Sequence, residues 1–433
     1  MASSSSAVCP GPNFRQLLQP TVIVGALGYF VDIYDLILFS LVRVPSLKEL
    51  GFTGEQLTSN GLHLMNLQMI GMLVGGILFG VLGDRLGRVT VLFSSILLYS
   101  VANIASGFVH SLGAYEVWRL VAGIGLAGEL GGSITLVSEV LPKESRAYGT
   151  TIVATVGVFG AVVGGLVADL VNWRTAFFIG GGLGLALLAL RLGVAESGMF
   201  RQMRSDAAVT RGNFFALFTN WARFLKYLRC ILIGLPSWFV IGVLVSLAPE
   251  FSRAVGVKGE ITTAARAVAV AYLGLTFGDL ASGWLSQRLG SRKKIVLAFL
   301  LLTLAASAAY LLVRGESVAA FYSLIFLLGL GVGYWAVFVT VGAEQFGTNI
   351  RATVATTVPN FVRGALVPIT MAFTWGKTWL AARMSAAPAD PIPANATLGS
   401  AALVGAVCIG IALWALHGLE ETHGKDLDYF EAP

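Results

Sequence analysis

The chain has 433 residues, of which 56% are hydrophobic and only 12% charged, with a mean hydropathy of +0.79. Soluble domains carry about 25% charged residues, so a water-soluble fold is excluded and the bilayer must be the solvent. The formal net charge of +6 is not gathered into a basic stripe on a soluble module, which removes nucleic acid as a partner. Cys9, Cys230 and Cys408 are too widely spaced for a metal site or a disulfide framework.

Residues 1–19 form a polar cytoplasmic tail with a serine run and no apolar core of the kind a signal peptide needs. From Pro20 onward, apolar stretches recur that are long enough to cross a hydrocarbon core of about 30 Å. Twelve transmembrane helices are predicted, over 20–44, 59–82, 89–110, 114–138, 147–171, 174–193, 228–251, 263–286, 293–313, 317–343, 353–381 and 397–418. A polar interruption over 194–227 separates a six-helix bundle at 20–193 from a second at 228–418, and 419–433 is a second tail. Lys and Arg concentrate in the loops on one side, among them Arg85, Arg88, Lys143, Arg146, Arg288, Arg292, Lys293, Lys294 and Arg351, which places both termini in the cytoplasm. Within the central loop, Phe214 to Tyr227 alternates aromatic and basic residues. This stretch reads equally as an amphipathic helix on the inner membrane surface or as a solvated linker helix.

The two halves repeat one another. Gly80, Asp84, Arg85 and Gly87 after the second span recur as Gly283, Gln287, Arg288 and Gly290 after the eighth, offset by 203 positions. Glu139 and Arg146 recur as Glu344 and Arg351, offset by 205. Duplicated halves place a substrate site at their interface. The expected fold class is therefore an all-α integral membrane protein with two pseudo-symmetric six-helix bundles.

These motifs resemble the major facilitator superfamily over essentially the whole chain after the tail. Gly80, Asp84, Arg85, Gly87 and Arg88 are similar to its signature loop, and Arg119, Gly123, Gly125, Gly128 and Glu129 to its fourth-helix pattern. Tyr34-Asp35, Glu139/Pro142/Arg146/Gly149, Trp173-Arg174 and Glu421-Thr422 resemble the sugar-porter and metabolite:proton symporter branches. Glu196 to Phe200 does as well, with Gly198 where those branches have proline. Antiporters of the superfamily carry a Gly-Pro in the fifth helix, and Gly160 is followed here by Ala161, so the resemblance favours uptake.

An ionisable group deep in a span is costly and marks a functional site by default. Those read as intramembrane are Asp32, Asp35, Arg119, Glu129, Asp279 and Arg363. Asp32 and Asp35, three apart, share a helix face, which suits two carboxylates to share a proton. At 1.5 Å per residue, Asp35 lies roughly 22 Å and Arg119 roughly 28 Å from the same end of the bundle, so a direct ion pair is expected. In the resembled sugar-porter branch the corresponding Asp and Arg couple transport to protons, which assigns that role to Asp35 and Arg119. Their other reading is a static structural pair, and for Asp32 it is polar packing. Glu129 reads as a second proton site, as in some organic-anion symporters of the superfamily, or as a packing glutamate.

Arg363, roughly 15 Å into the eleventh span and near Asn360, is the candidate for gripping a carboxylate, because guanidinium is a planar bidentate fork. Pairing with Asp32 is its alternative. Tyr29, Asn66, Gln68, Trp238, Tyr334 and Trp335 are read as the rest of a cavity lining, and His63 as a wet interfacial residue. Asp84, Arg85, Arg88, Glu139, Arg146, Arg288, Glu344 and Arg351 are expected to gate the cytoplasmic mouth by ion pairs between the halves, the alternative being a charge cluster that sets topology.

No phosphate-binding loop, zinc-ligand spacing or nucleophile elbow is present, so an enzyme is not expected. The expected function is proton-coupled symport of a small polar metabolite, most readily an organic anion, by a monomer in a bacterial inner membrane. The proton is the coupling ion and no cofactor is expected. A proton-driven exporter, an uncoupled facilitator and a non-transporting nutrient sensor are the alternatives, the last weakened by a short C-terminal tail.

Overall fold

The computed structural model describes residues 19–86, 88–129, 143–194, 214–259, 262–384 and 393–424, which are almost entirely helical. Six helical passes make the first half: Pro20–Glu49, Glu55–Leu86, Arg88–Gly107, Leu112–Leu126, Lys143–Leu170 and Trp173–Val194. The second half runs through Trp221–Val245, Ala264–Leu289, Arg292–Leu312, Val318–Glu344, the paired helices Thr348–Gly364 and Leu366–Met384, and Ala394–His417. These are numbered here as spans one to twelve. Hydroxyl caps start several spans, with Ser111, Thr263, Ser291 and Ser317 each accepting from the backbone amide three residues on, which satisfies donors that the first turn leaves free. The seventh span starts at Trp221, seven residues earlier than its expected start at 228, because Asn220 caps it and its aromatic flank packs on the eleventh span through Phe214 and Tyr227 against Phe361.

Tight packing comes from glycines at repeated positions. Gly71 and Gly75 of the second span lie on Leu120, Gly123 and Ile124 of the fourth, and Gly274 and Gly278 of the eighth lie on Phe326, Leu330 and Gly333 of the tenth. The two glycine pairs are offset by 203 residues, the spacing of the signature loops, so the duplication extends to backbone packing. A Cβ on Gly329 would overlap the Ala271 carbonyl oxygen, whereas Gly410 has nothing within 4 Å of that position.

Four spans break near their middles. The fourth turns at Ala127–Gly128, the seventh at Ile233–Gly234, the tenth at Gly333–Tyr334 and the eleventh at Ala365. A broken helix frees backbone groups that lipid cannot satisfy, and side chains from other spans take them. Asn360 Nδ2 donates to the Ala127 carbonyl at 3.0 Å, the Tyr334 hydroxyl to that of Ile233 at 2.9 Å, and the Tyr310 hydroxyl to that of Leu244 at 3.0 Å. Asp279 Oδ1 accepts from the Ala336 amide at 3.0 Å, capping the second part of the tenth span.

The two ends of the bundle differ. At the end away from the termini, polar contacts join first half to second: Arg43 to Glu250 at 2.7 Å, Arg266 to Asp169 at 2.7 Å, and Lys377 to Glu55. Arg43 also donates to the Ser246 carbonyl at 3.2 Å, and Thr370 to Asn66 Oδ1 at 2.8 Å. At the other end, the segment after the twelfth span is tied down. Glu421 accepts from the Ser291 hydroxyl and from the amides of Arg292 at 2.9 Å and Lys293 at 3.2 Å, and Thr422 donates to Glu344 at 2.6 Å. Partial burial pushes the Glu421 carboxyl up, but hydrogen bonds from Ser291 and from the amides of His423, Arg292 and Lys293 outweigh it and bring it down to about 2.

Two outcomes follow. Gly329→Ala is expected to cost about 1–3 kcal/mol from overpacking and to lower the thermal unfolding midpoint in detergent, while Gly410→Ala leaves it unchanged. The Glu421 group, depressed in the folded state, contributes stability above its usual value of 4.5 that is lost as pH falls towards about 2. The stability gap between the wild type and Glu421→Gln, read by thermal unfolding, should therefore be full at neutral pH and close across that window.

Candidate functional site

Tyr29, Asp32 and Asp35 recur every three residues on the first span, and Asn360 and Arg363 do the same on the eleventh, so each set lies along one helix face. Where the two faces meet, Arg363 Nη2 lies 3.8 Å from Asp32 Oδ2 with both side chains buried. That separation allows attraction but is too long for a hydrogen bond. Neither oxygen of Asp32 has a hydrogen-bond partner, nor does Arg363 Nε. Arg363 Nη1 reaches Asn360 Oδ1 at 3.5 Å, and Asn360 ties this group to the fourth span through the Ala127 carbonyl. The Tyr29 ring fills the space left by Gly157. Its hydroxyl lies in the field of Arg363, Asp32 and Asp279 together, with Trp335 beside it. Tyr29, Asp32, Asn360, Arg363 and Trp335, all named from the sequence, thus form one cluster between the halves.

A second charged group borders it. Arg191 grips Glu129 with both terminal nitrogens, Nη1 to Oε2 at 3.1 Å and Nη2 to Oε1. Gly28, one turn before Asp32, makes room for them, since a Cβ there would overlap Arg191 Nη2 and come 2.6 Å from Glu129 Oε1. Asp32 feels the charges of both. Arg191 was missed because it lies near the end of the sixth span, where a cation reads as a snorkelling residue. Arg43 and Lys377, also buried, were missed for the same reason, although they fall inside the predicted spans.

The expected ion pair of Asp35 with Arg119 does not form. Arg119 Nη2 donates to Asn103 Oδ1 at 2.9 Å and Ser106 Oγ at 2.8 Å, and its guanidinium lies 4.8 Å from the Phe177 ring centroid. Both oxygens of Asp35 and the Nδ2 of Asn103 lack hydrogen-bond partners, and Asn103 is the polar side chain beside Asp35. Depth along the helices placed the two charges correctly. The third span intervenes with better-placed acceptors, which a rise-per-residue argument cannot see.

The sequence profile of the Major Facilitator Superfamily matches residues 25–370. The chain belongs to the Major Facilitator Superfamily. It is a transporter of that superfamily and not an enzyme. It is 27% identical over 369 residues to the niacin transporter NiaP of Acinetobacter baylyi, covering 76% of this chain and 80% of that one. It is 25% identical over 381 residues to the shikimate transporter of Escherichia coli, covering 79% and 84%. The solved structure of the proton:xylose symporter XylE superposes with a TM-score of 0.67 at 17% identity, over 96% of this chain and 98% of that one. This likeness shows the major facilitator fold with its two six-helix halves.

Against that fold, other expected cavity residues are already engaged. Gln68 Nε2 donates to the Leu36 carbonyl at 3.0 Å within the first half, and the Tyr334 hydroxyl serves the break in the seventh span. Asn66 bonds Thr370, and Trp238 is buried in the second half. His63 is exposed and lies 3.1 Å from Glu116.

Of the residues expected to gate the cytoplasmic mouth, Glu139 and the side chains of Asp84, Arg85, Arg88 and Arg146 lie outside the described residues. In the second half Glu344 pairs with Arg292 at 3.4 Å, while Arg288 is exposed and lies over the Trp284 ring. Arg351 Nε donates to the Phe346 carbonyl at 3.2 Å. Arg292 therefore takes the place expected of Arg288, because the turn after the eighth span, with Gly290 at φ 60°, swings the chain so that the next helix begins facing Glu344. The described contacts of Glu344, with Arg292 and Thr422, stay within the second half instead of crossing to the first.

The buried pair of Glu129 and Arg191 gives a direct test. Removing one partner leaves an uncompensated charge, so Glu129→Leu or Arg191→Leu alone should cost about 3–5 kcal/mol. The double Leu variant should regain much of the lost thermal stability in detergent.

Proposed function

We propose that the protein takes up a small carboxylate by proton-coupled symport and alternating access. The observation that carries this reading is the buried contact of Asp32 with Arg363 across the two halves. A guanidinium held at 3.8 Å by a carboxylate that makes no hydrogen bonds is poised to exchange partners. A proton on Asp32 removes its charge and releases Arg363. The carboxylate of the substrate then takes the guanidinium in a bidentate grip, keeping the buried charge balanced. Deprotonation and substrate release reverse the exchange, so proton and substrate move together. Asp35, whose two oxygens make no hydrogen bonds, is a second carboxylate available to the same proton path.

Relatives named for niacin, shikimate and gentisate support a ring carboxylate as cargo. The basic loops support a cytoplasmic placement of both termini. The ion pairs of Arg43, Lys377 and Arg266 then close the extracellular side, as alternating access requires of a state that discharges inward.

In proteoliposomes under an imposed pH gradient, Asp32→Asn is expected to retain counterflow exchange of the carboxylate while losing pH-driven accumulation. Arg363→Gln is expected to lose both. Undiminished accumulation by Asp32→Asn, or carboxylate binding unaffected by Arg363→Gln, overturns the reading.

A further inference from the structure

The basic run at the turn between the eighth and ninth spans is only half used by the contacts described above. From 284 to 294 the chain carries Arg288, Arg292, Lys293 and Lys294 and no acid. Two of the four are engaged within the protein. Arg292 holds Glu344 at 3.4 Å and the Ser286 hydroxyl at 2.9 Å, and Lys293 Nζ donates to the carbonyls of His417 and Leu419. Arg288 and Lys294 are exposed, and among the described residues neither meets a carboxylate. The acids that reach this turn have other partners: Glu421 takes Ser291 and the amides of Arg292 and Lys293, and Glu344 takes Arg292 and Thr422.

The surface beneath the two free cations is apolar. Phe277, Leu280 and Trp284 are exposed along the eighth span, and Arg288 continues their stripe by one turn. Leu297, Leu301 and Leu304 are exposed along the ninth, and Lys294 heads theirs. Steps of three and four residues keep each stripe on one helix face. The two spans form one hairpin, closed by Gly290 and Ser291, so both cations stand at the same membrane boundary. Apolar stripes are ordinary in lipid and identify nothing alone. Two unneutralised cations at the ends of such stripes match an anion held at headgroup level. The Arg288 guanidinium also lies 5.1 Å from the Trp284 ring centroid, a cation–π contact with a residue type that favours this boundary.

The first half shows that the fold does not need these groups. At the 203-residue offset Trp284 corresponds to Val81, Gln287 to Asp84 and Lys294 to Val91. The first hairpin thus lacks the tryptophan and the lysine and keeps an acid beside Arg85. All three differences suit the second hairpin to an anion with an apolar tail.

We propose that this hairpin seats an anionic phospholipid, whose phosphate meets Arg288 and Lys294 and whose chains lie along the exposed stripes of the eighth and ninth spans. Guanidinium and phosphate pair through two parallel hydrogen bonds, and basic clusters at the end of a span attract anionic headgroups. The site lies on the outer surface of the second half and is independent of the substrate reading.

Lipid binding to the purified full-length protein in detergent is counted by native mass spectrometry, with phosphatidylglycerol and phosphatidylcholine of the same chains. Wild type should retain phosphatidylglycerol over phosphatidylcholine. Arg288→Gln and Lys294→Gln should each lower that preference about fivefold, the effect of one cation near an anionic headgroup. Lys258→Gln, which alters an exposed lysine at the opposite end of the eighth span, should leave it unchanged. The wild-type measurement is decisive without any variant, because absence of a preference overturns the proposal. A preference that survives the double substitution, or an equal loss from Lys258→Gln, overturns it too and leaves the basic run as a topology signal. Glycerol phosphate, the headgroup without its chains, should not displace the bound lipid. Displacement at equal concentration marks a site for free phosphate and overturns the lipid assignment.

Discussion

Backbone that leaves the helical ladder inside a bilayer has no solvent to turn to, and this constraint organises the centre of the molecule. Four spans break, and at three of the breaks a side chain from another span takes up the freed backbone group. Asn360 serves the fourth, Tyr334 the seventh and Asp279 the tenth. The residues that mend the breaks are the residues of the site or their immediate neighbours. Binding and folding therefore draw on one set of polar groups, and the side chains are held in place by obligations to backbone that they cannot abandon cheaply.

The buried charges divide by how completely they are satisfied. Glu129 and Arg191 close on each other with two contacts, under a glycine that leaves room for nothing else. Arg119 is held by two side-chain acceptors and aromatic rings. Asp32, Asp35 and Asp279 keep oxygens without partners. A fully satisfied pair is a fixture, whereas a carboxylate with a free oxygen is where a proton or a ligand donor changes the balance. Among them, Asp32 meets the opposite half through Arg363, which is where movement between the halves would be felt.

Much of this was legible in the residues. Hydropathy located most of the spans to within about five residues, the seventh starting seven early, the 203-residue offset exposed the duplication, and the cost of burying charge singled out Asp32, Asn360's neighbour Arg363, and Asp279. Partner choice was not legible. Asp35 and Arg119 lie at matching depth, yet Asn103 and Ser106 of the third span capture the guanidinium. Arg191, at a helix end, looked like an interfacial cation and instead reaches inward to Glu129. Arg292 displaces Arg288 beside Glu344 because a glycine turn of one φ angle decides which residue of a basic run faces the tenth span.

The amino-acid sequence alone determined that the bilayer is the solvent, that the chain makes twelve passes in two related halves, and that Asp32, Asp35, Arg119, Glu129, Asp279 and Arg363 are buried. Those properties follow from transfer free energies and periodicity, which are sums over local residues. Only the tertiary structure decided which charge meets which, where a glycine opens room for a guanidinium, and which carboxylate oxygen is left without a donor. Such outcomes depend on differences of a few ångströms between spans hundreds of residues apart in the chain, and hydrogen bonds and buried ion pairs are selective over that distance.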